Sequence, residues 1–511
     1  DYCSVHAVWA LDRINKKSIM INSNPETVST DFDTSERLYF EPLDEESIRN
    51  IIDNESYGFE KPKSIVQFGG QTAVNLATSL DNSSNPIMGS SAKTIDNASD
   101  RIPFEKLTES LNIPQPPGGE VFNVTDAINV ANSVGFPVVV RPSYVLGGMS
   151  MEILQSTEEL KRYFESHSSL FQDFRGSLLI DRYIEGIEVE VDAVCDGENI
   201  LIPGIMEHIE RAGVHSGDSI AVYPPINLTK NEIDIIVKHT KDIGIALGIK
   251  GLMNIQFVIK RSETREGKDL KSKVYILELN PRSSRTIPFI SKVTGIPMID
   301  IAVRIMNGTF LDDLGYGHQL MPNKNFYAVK APVFSMSKLT GVDTFLGPEM
   351  KSTGEVMGID NNFQSALSKA LISSQLQLPP EGKLILSIAD RDKLSSKKLI
   401  KLINSKGYKF AATPGTADLI ESLGFSSERI EKVLSRHPNA VDLIEDKSII
   451  GVINTVTGDR KTLQDGFQIR RIATERKIPC FTSLDTAYAA VDSSSVSTNL
   501  EVKSLEKFVS F

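Results

Sequence analysis

The stretch YILELNPRSSRT, residues 275–286, decides how the middle of the chain is read. Tyr275, Leu277 and Leu279 alternate with Ile276, Glu278 and Asn280, the pattern of a β-strand whose successive side chains point to opposite faces. One face of this apolar strand carries a carboxylate and an amide two residues apart, just before Arg282 and Arg285. Upstream, MNIQF (253–257) puts Asn254 and Gln256 on one face of another strand, and the charged RSETREGKDLKS (261–272) reads as an exposed hairpin loop between the two. Pairing of these strands would gather four oxygen-bearing groups over a small patch of sheet. Hard cations such as Mg²⁺ and Mn²⁺ take oxygen ligands in octahedral array, a few from protein and the rest from water and phosphate. Glu278 can bridge two ions, and Gln256 and Asn280 can each complete one. The alternative is a pair of half-exposed strands with polar outer faces. Arg282 and Arg285 weigh against it, because they supply charge for phosphate oxygens.

Other segments carry the same chemistry more weakly. Arg141 ends the apolar run of PVVVRPSYVLGG (137–148), and an arginine there needs an anionic partner, either a phosphate or a structural carboxylate. Gly147 and Gly148 would let backbone approach a phosphate, or simply turn a hairpin. LLIDRYIEGIEVEVDAVCDG (178–197) reads as strand, turn, strand, with Asp181 and Glu188 bracketing the turn and Ile184 between them. A strand edge there could bind an adenine by backbone hydrogen bonds while Glu188 takes ribose hydroxyls. Small residues surround His215 and Ser216 in AGVHSGD (212–218), as in a loop that touches a ligand, although a lone histidine is often structural.

The rest of the chain reads as α/β. Residues 1–100 offer a helix, the strand SIMINS, the turn NPETVSTDFDTS, a second helix, the strand SIVQFGG, the helix QTAVNLATSL and the short strand IMGSS. Strands alternating with helices point to a parallel sheet. A sheet of this kind is normally led by one more strand, so a chain opening at Asp1 is expected to be a fragment. Capping boxes at Ser156/Glu159 and Thr229/Glu232 each start a helix. In the second, Ile233, Ile236, Val237, Ile243 and Leu247 line one face and Gly248 stops it. Residues 313 to about 380 are rich in turns and hard to class. From there the pattern is clean again: KLILSIAD, SSKKLIKLINSKG, YKFAAT, ADLIESLG and SIIGVINTV, with Gly407 as a helix stop. In that last part ATPGTA opens a helix, and a helix N-terminus favours anions. Thr413, Thr416, Lys393, Lys432, Asn454 and Thr457 lie where such strands end, suggesting a second, regulatory anion site, with plain N-capping as the alternative.

Composition narrows the function. The 511 residues are 40% hydrophobic and 24% charged, and suggest about three or four globular domains. No apolar run approaches the roughly 18–20 residues of a membrane helix, so no membrane partner is expected. The formal net charge of −11 argues against a general nucleic-acid binder. Three scattered cysteines, Cys3, Cys195 and Cys480, fit a reducing, cytoplasmic setting without a disulfide framework. The seven histidines show no zinc spacing, and neither GxxxxGK[ST] nor GxGxxG occurs, so nucleotide phosphates would be handled by another route.

At NSNPETVSTDFDTSERLYFEPL, VQFGGQT, VRPSYVLGG, EHIERAGVHSGDS, GLMNIQF, LELNPRSSRT, LGPEMKSTGEVMG and ATPGTA the chain resembles, in order, the carboxy-terminal half of the carbamoyl-phosphate synthetase large-subunit family. The resemblance implies an α/β multidomain chain: a pre-ATP-grasp α/β domain at 1–102 lacking its first strand, and an ATP-grasp domain at 103–312. A connecting region at 313–375 and a methylglyoxal-synthase-like, Rossmann-type allosteric domain at 376–511 would follow. It implies phosphorylation of carbamate to carbamoyl phosphate, within synthesis from bicarbonate, glutamine and two ATP for arginine and pyrimidine formation. ATP would be contacted by Arg141, Arg182, Ile184, Glu188, Gly213, Val214, His215, Ser216, Gln256 and Glu278. Two Mg²⁺ or Mn²⁺ ions would be held by Gln256, Glu278 and Asn280, with Arg282, Arg285 and Arg141 catalytic. Nucleotide effectors would meet Lys393, Thr413, Thr416, Lys432 and Asn454, and Glu210 and Asp218 match acidic positions linked to ornithine activation. Implied partners are a glutaminase small subunit and the amino-terminal half of the large subunit, absent here, which makes the carbamate. The rival readings are another ATP-grasp carboxylate ligase, such as a biotin-carboxylase relative, and a non-catalytic nucleotide-sensing half-chain.

Overall fold

In a computed structural model of the chain, the helix expected after Thr229 runs Lys230–Leu247. Thr229 accepts the Glu232 N–H, and the Glu232 carboxylate accepts the Thr229 N–H at 2.8 Å, so both halves of the capping box are made. Gly248 stops the helix at φ 65°, a left-handed conformation that glycine adopts without a Cβ clash. Ile236 and Ile243 are buried, while Ile233, Val237 and Leu247 are half-buried. Glu232 also ties the helix to the hairpin behind it, accepting from Arg261 at 2.7 and 2.8 Å and from Ser272 at 2.5 Å. Burial opposes its charge, but the bonds from Arg261, Ser272 and Thr229 outweigh that and hold the carboxyl down at about 2.

The structure describes residues 2–56, 60–142, 150–167, 177–263, 270–336, 342–431, 433, 437–456, 460–496 and 500–509. Gly147, Gly148, Lys432 and Thr457, and the centre of the 261–272 loop, lie outside them. The chain divides into two compact units: Asp1–Pro117 with Glu188–Glu207 and Pro225–Lys324, and Gly118–Ile187 with His208–Pro224 and Asn325–Phe511. Among the described residues no helix is long and apolar enough to cross a membrane.

In the first unit the expected hairpin forms. Lys250–Glu263 pairs antiparallel with Leu270–Asn280, and Ile187–Asp196 lies along the other edge of Lys250–Glu263. Ile200–Ile202 pairs antiparallel with the end of Ile187–Asp196 and parallel with Gln319–Leu320. Ile287–Thr294 and Met298–Met306 follow the hairpin as helices, and the amphipathic Tyr2–Arg13 packs on Met298–Met306. The amino-terminal reading needs correction. Ile19–Ile21 is a strand, but its parallel partner is Arg37–Tyr39, just after the expected turn. SIVQFGG contributes a single parallel bridge between Ser64 and Ile87 in place of a strand. The chain there bends directly into the helix Gly70–Val74, and the buried Gln67 side chain bonds outside any ladder, to Ser90 at 3.0 Å and to the Leu252 N–H at 3.3 Å.

In the second unit a four-stranded sheet runs Gly118–Val121, Leu178–Arg182, Val138–Pro142, Glu152–Leu154, antiparallel throughout. Val121, Ala127, Val138, Val140, Leu160 and Ile180 close its core. Ser156 caps Thr157–Ser166 by accepting the Glu159 N–H, but the Glu159 carboxylate reaches the Gln155 N–H instead of the cap residue, so only half of that box is made. The segment that was hard to class contains an antiparallel pair, Tyr327–Val333 with Gly354–Asp360, joined on its edge by Ala221–Tyr223 and followed by the helix Phe363–Ser373. The last part is a five-stranded, all-parallel sheet ordered Glu428–Arg429, Lys409–Ala412, Lys383–Ser387, Ile449–Asn454, Cys480–Phe481. The 178–197 stretch does not stay in one sheet: Leu178–Arg182 belongs to the four-stranded sheet and Ile187–Asp196 to the first unit's sheet.

Replacing Glu232 by Gln strips Arg261 of its buried carboxylate partner. Hydrogen exchange at pH 7 should show the amides of Lys230–Leu247 losing about 2–3 kcal/mol of opening free energy. The carboxyl is held below its ordinary 4.5, so its contribution is complete above about pH 4.5 and vanishes as pH falls through about 2. The gap between wild type and variant should close over that window, and equal exchange at pH 7 would show that the pair contributes nothing.

Candidate active site

The hairpin register sets the candidate site. Asn254 stands opposite Asn280 and Gln256 opposite Glu278, and the register then slips so that Phe257 faces Ile276, leaving Leu277 as an extra residue. Such a bulge reverses the side-chain phase of one strand relative to the other. Val274, Ile276 and Leu279 are buried, whereas Glu278 and Asn280 are half-buried. Strict alternation would have put Ile276 on the face of Glu278 and Asn280; the bulge lets Ile276 enter the core while the two polar side chains stay out of it. Gln256, Glu278 and Asn280 present only oxygen ligands, a set that suits a hard divalent cation.

Arg282 is drawn onto this patch. Asn280 donates to Glu278 at 3.0 Å, and its own Oδ1 accepts from the Arg282 guanidinium at 3.2 Å. Arg282 Nε donates to Gln71 Oε1 at 3.0 Å, and a terminal nitrogen donates to the Ser283 carbonyl at 3.0 Å. Burial lowers the Arg282 pKa and the Glu278 carboxylate pulls it back up. Arg285 is exposed. Glu188 is 3% exposed, on the strand beside Lys250–Glu263.

Residues that the sequence reading did not single out complete the surroundings. Gln67 accepts the Ser283 N–H on its carbonyl at 2.9 Å, and Gln71 orients Arg282, so VQFGGQT holds the start of the arginine loop. On the strand Ile187–Asp196, Glu190 and Asp192 are both buried. Asn254 donates to Glu190 at 2.8 Å and to Asp192 at 2.9 Å. Thr286 donates to Glu190 at 3.0 Å and to Asp192 at 2.5 Å, and Ser284 to Asp192 at 2.7 Å. Burial, and then the neighbouring Glu190 charge, push the Asp192 pKa up. The signal was present in IEVEVD, where three acids alternate with apolar residues.

The remaining expected nucleotide contacts are in the second unit. Arg141 has Asp181 as a carboxylate neighbour at 3.6 Å, so the carboxylate alternative raised for it has a concrete partner. Arg182 donates to the Val134 carbonyl at 2.7 Å, and Ile184 is buried. Gly213 lies at φ +109°, and a Cβ there would come within 2.7 Å of Ile153 and 3.1 Å of Tyr183. The His215 N–H donates to the Gly347 carbonyl at 2.8 Å, and its Nδ1 accepts the Gly217 N–H at 3.0 Å. Lys330, almost wholly buried, donates to the Ser216 carbonyl at 3.2 Å, and Val214 is half-buried between these anchored residues. Glu210 accepts from the Ile220 N–H at 2.7 Å and from the Thr486 hydroxyl at 2.6 Å, and burial raises its pKa. Asp218 accepts the N–H groups of Lys351 and Ser352, each at 2.8 Å.

Of the expected effector residues, Lys393, Thr413, Thr416 and Asn454 are among the described residues and lie at the strand ends of the parallel sheet. Thr416 accepts the Ile388 N–H at 3.0 Å, and Thr413 lies 3.4 Å from Thr416. Asn454 donates to the Ser387 carbonyl at 3.3 Å, and the Lys393 ammonium would lie 2.8 Å from a Cβ on Gly415. Beneath Asn454, a residue that the sequence reading missed carries the charge. Arg470 is 1% exposed, donates to Asn454, and grips Asp343 through two nitrogens at 2.7 and 2.5 Å.

Comparison with known proteins places these features in a family context. Residues 1–97 match the model of the carbamoyl phosphate synthase preATP-grasp domain, and residues 100–314 that of the carbamoyl-phosphate synthase L chain, ATP binding domain. Residues 397–482 match the MGS-like domain. A carbamoyl phosphate synthase large chain from Thermomicrobium roseum is 50% identical over 494 residues, covering 96% of this chain and 45% of the relative. The chain thus spans less than half the length of that relative. The biotin carboxylase domain of 2-oxoglutarate carboxylase from Hydrogenobacter thermophilus has a TM-score of 0.55 at 17% identity, over 73% of this chain and 87% of that one. Biotin carboxylase from Campylobacter jejuni gives 0.55 at 16% identity over 72% and 88%. N5-carboxyaminoimidazole ribonucleotide synthetase from Thermotoga maritima gives 0.51 at 14% over 73% and 95%. At such identities the likeness shows the fold alone.

Asp343→Asn would leave the buried Arg470 guanidinium without its counter-charge. Hydrogen exchange should then show the amides of Ile449–Asn454 less protected by about 3 kcal/mol. Unchanged protection would mean that Arg470 does not depend on the pair.

Proposed function

We propose that this chain, which belongs to the carbamoyl-phosphate synthase large-chain family, phosphorylates carbamate with ATP to give carbamoyl phosphate and ADP. The observation that carries the reading is the cross-strand patch of Gln256, Glu278 and Asn280, each with an oxygen that can ligate a cation, with Arg282 bonded into it. A carbamate oxygen uses an electron pair to form the new bond to the γ-phosphorus, the bond from phosphorus to the β,γ-bridging oxygen breaks, and ADP leaves with the electrons of that broken bond. Two Mg²⁺ or Mn²⁺ ions held by Gln256, Glu278 and Asn280 would neutralise charge on the phosphates. Arg282, Arg285 and Arg141 offset charge that spreads over the transferring oxygens. No covalent enzyme intermediate is required. Arg182, Ile184, Glu188, Gly213, Val214, His215 and Ser216 are the further nucleotide contacts on this reading, with Glu188 taking the ribose. Several of these are held rigidly by backbone bonds, which favours pre-organised binding.

The domain limits belong to the same proposal: 1–102 pre-ATP-grasp, 103–312 ATP-grasp, 313–375 connecting, 376–511 allosteric. So do a cytoplasmic setting, a glutaminase small subunit, and an amino-terminal half that supplies carbamate for arginine and pyrimidine synthesis. Lys393, Thr413, Thr416, Lys432 and Asn454 would bind a nucleotide effector, and Glu210 and Asp218 would answer to ornithine.

The reverse reaction, ATP formation from ADP and carbamoyl phosphate, tests the core of this reading. Glu278→Ala and Asn280→Ala should each lower it by at least about 10³-fold with an unchanged circular dichroism spectrum. Wild-type turnover in either variant refutes the assignment of the patch; in the forward direction, ATP cleavage that carboxylates biotin in place of forming carbamoyl phosphate would move the chain to the biotin-carboxylase class.

A further inference from the structure

Glu190 and Asp192 have no part in the reaction as drawn, yet they are 3% and 0% exposed on the strand beside Lys250–Glu263. Two carboxylates at successive same-face positions of one strand repel each other, and burying them costs more than burying apolar side chains of that size. What they hold explains their presence. Ser284 and Thr286 donate to them from the loop that carries Arg282 and Arg285. Asn254, opposite Asn280, donates to both. On the near side Gln67 accepts the Ser283 N–H and Gln71 accepts from the Arg282 side chain, so the loop is held at both ends.

We propose that Asp192, supported by Glu190 and acting through Thr286 and Ser284, is the positioning residue for the two arginines of the phosphoryl-transfer site. This rests on the reaction assigned above. An arginine reaches only as accurately as its backbone is held, and a shift of the loop would carry the Arg282 guanidinium off its bonds to Gln71 and Asn280. Hydroxyl-to-carboxylate bonds in a dry interior are strong enough to prevent this. A misplacement of about 1 Å in a reacting geometry costs about 10²-fold in rate.

The experiment measures ATP formation from ADP and carbamoyl phosphate by the whole 511-residue chain. Thr286→Val keeps the shape and removes the hydroxyl. It should lower kcat by about 30–100-fold with KM for ADP within about twofold, and Thr286→Ser should return kcat to within about threefold of wild type. Ser284→Ala, losing one bond to Asp192, should lower kcat by about 5–10-fold and leave KM unmoved, and it decides the question if Thr286→Val does not fold. A competent wild-type chain whose Thr286→Val or Ser284→Ala variant keeps wild-type kcat overturns the positioning role alone. So does a Thr286→Ser chain that falls as far as Thr286→Val. A wild-type chain that forms no ATP overturns the reaction assigned above, and this role with it.

Discussion

The slipped register between Lys250–Glu263 and Leu270–Asn280 is the constraint on which the candidate chemistry depends. A strand that buries Ile276 and Leu279 cannot, by strict alternation, also turn Glu278 and Asn280 away from the core. One extra residue, Leu277, resolves the conflict. It leaves Gln256 beside Glu278 and Asn254 beside Asn280, and delivers the chain into the loop that carries Arg282. Cross-strand neighbours on one face lie about 4.5–5.5 Å apart at Cβ, close enough for such side chains to share a bound group.

Around that hairpin the first unit uses buried polar groups as ties. Glu232 fastens its helix to both hairpin strands through Arg261 and Ser272. Gln67 joins the amino-terminal segment to Leu252 and to the arginine loop. Glu190 and Asp192 collect Asn254, Ser284 and Thr286. Each carboxylate is desolvated, and each is answered by several donors, the condition under which buried charge is tolerated.

The second unit uses the same device. Asp218 accepts from the backbone of Lys351 and Ser352, while His215 is held by Gly347. Those partners come from the segment that begins at Asp343, whose carboxylate Arg470 grips beneath Asn454. The loop around His215 and the strand ends of the parallel sheet are thereby attached to one stretch of backbone, 343–352, by charged bonds at both of its ends.

Much was legible in the amino-acid order. The helix at Lys230–Leu247, the hairpin strands and the parallel α/β pattern from Lys383 onward follow from periodicity, caps and turn residues, which act over a few positions. The oxygen-bearing side chains of LELNPRSSRT were visible for the same reason: alternation is local. Where the local signals were weak they misled. SIVQFGG had the residues of a strand, but Gln67 bonds to Ser90 and Leu252, far along the chain. The Leu277 bulge, the partner of each buried acid and the placing of Arg470 against Asp343 were decided only by tertiary structure. A register slip is chosen by which side chains the core will accept, and a buried charge by partners from far along the chain, such as Asn254, 62 residues from Asp192, and Arg470, 127 from Asp343; no short window of sequence contains both partners of either pair.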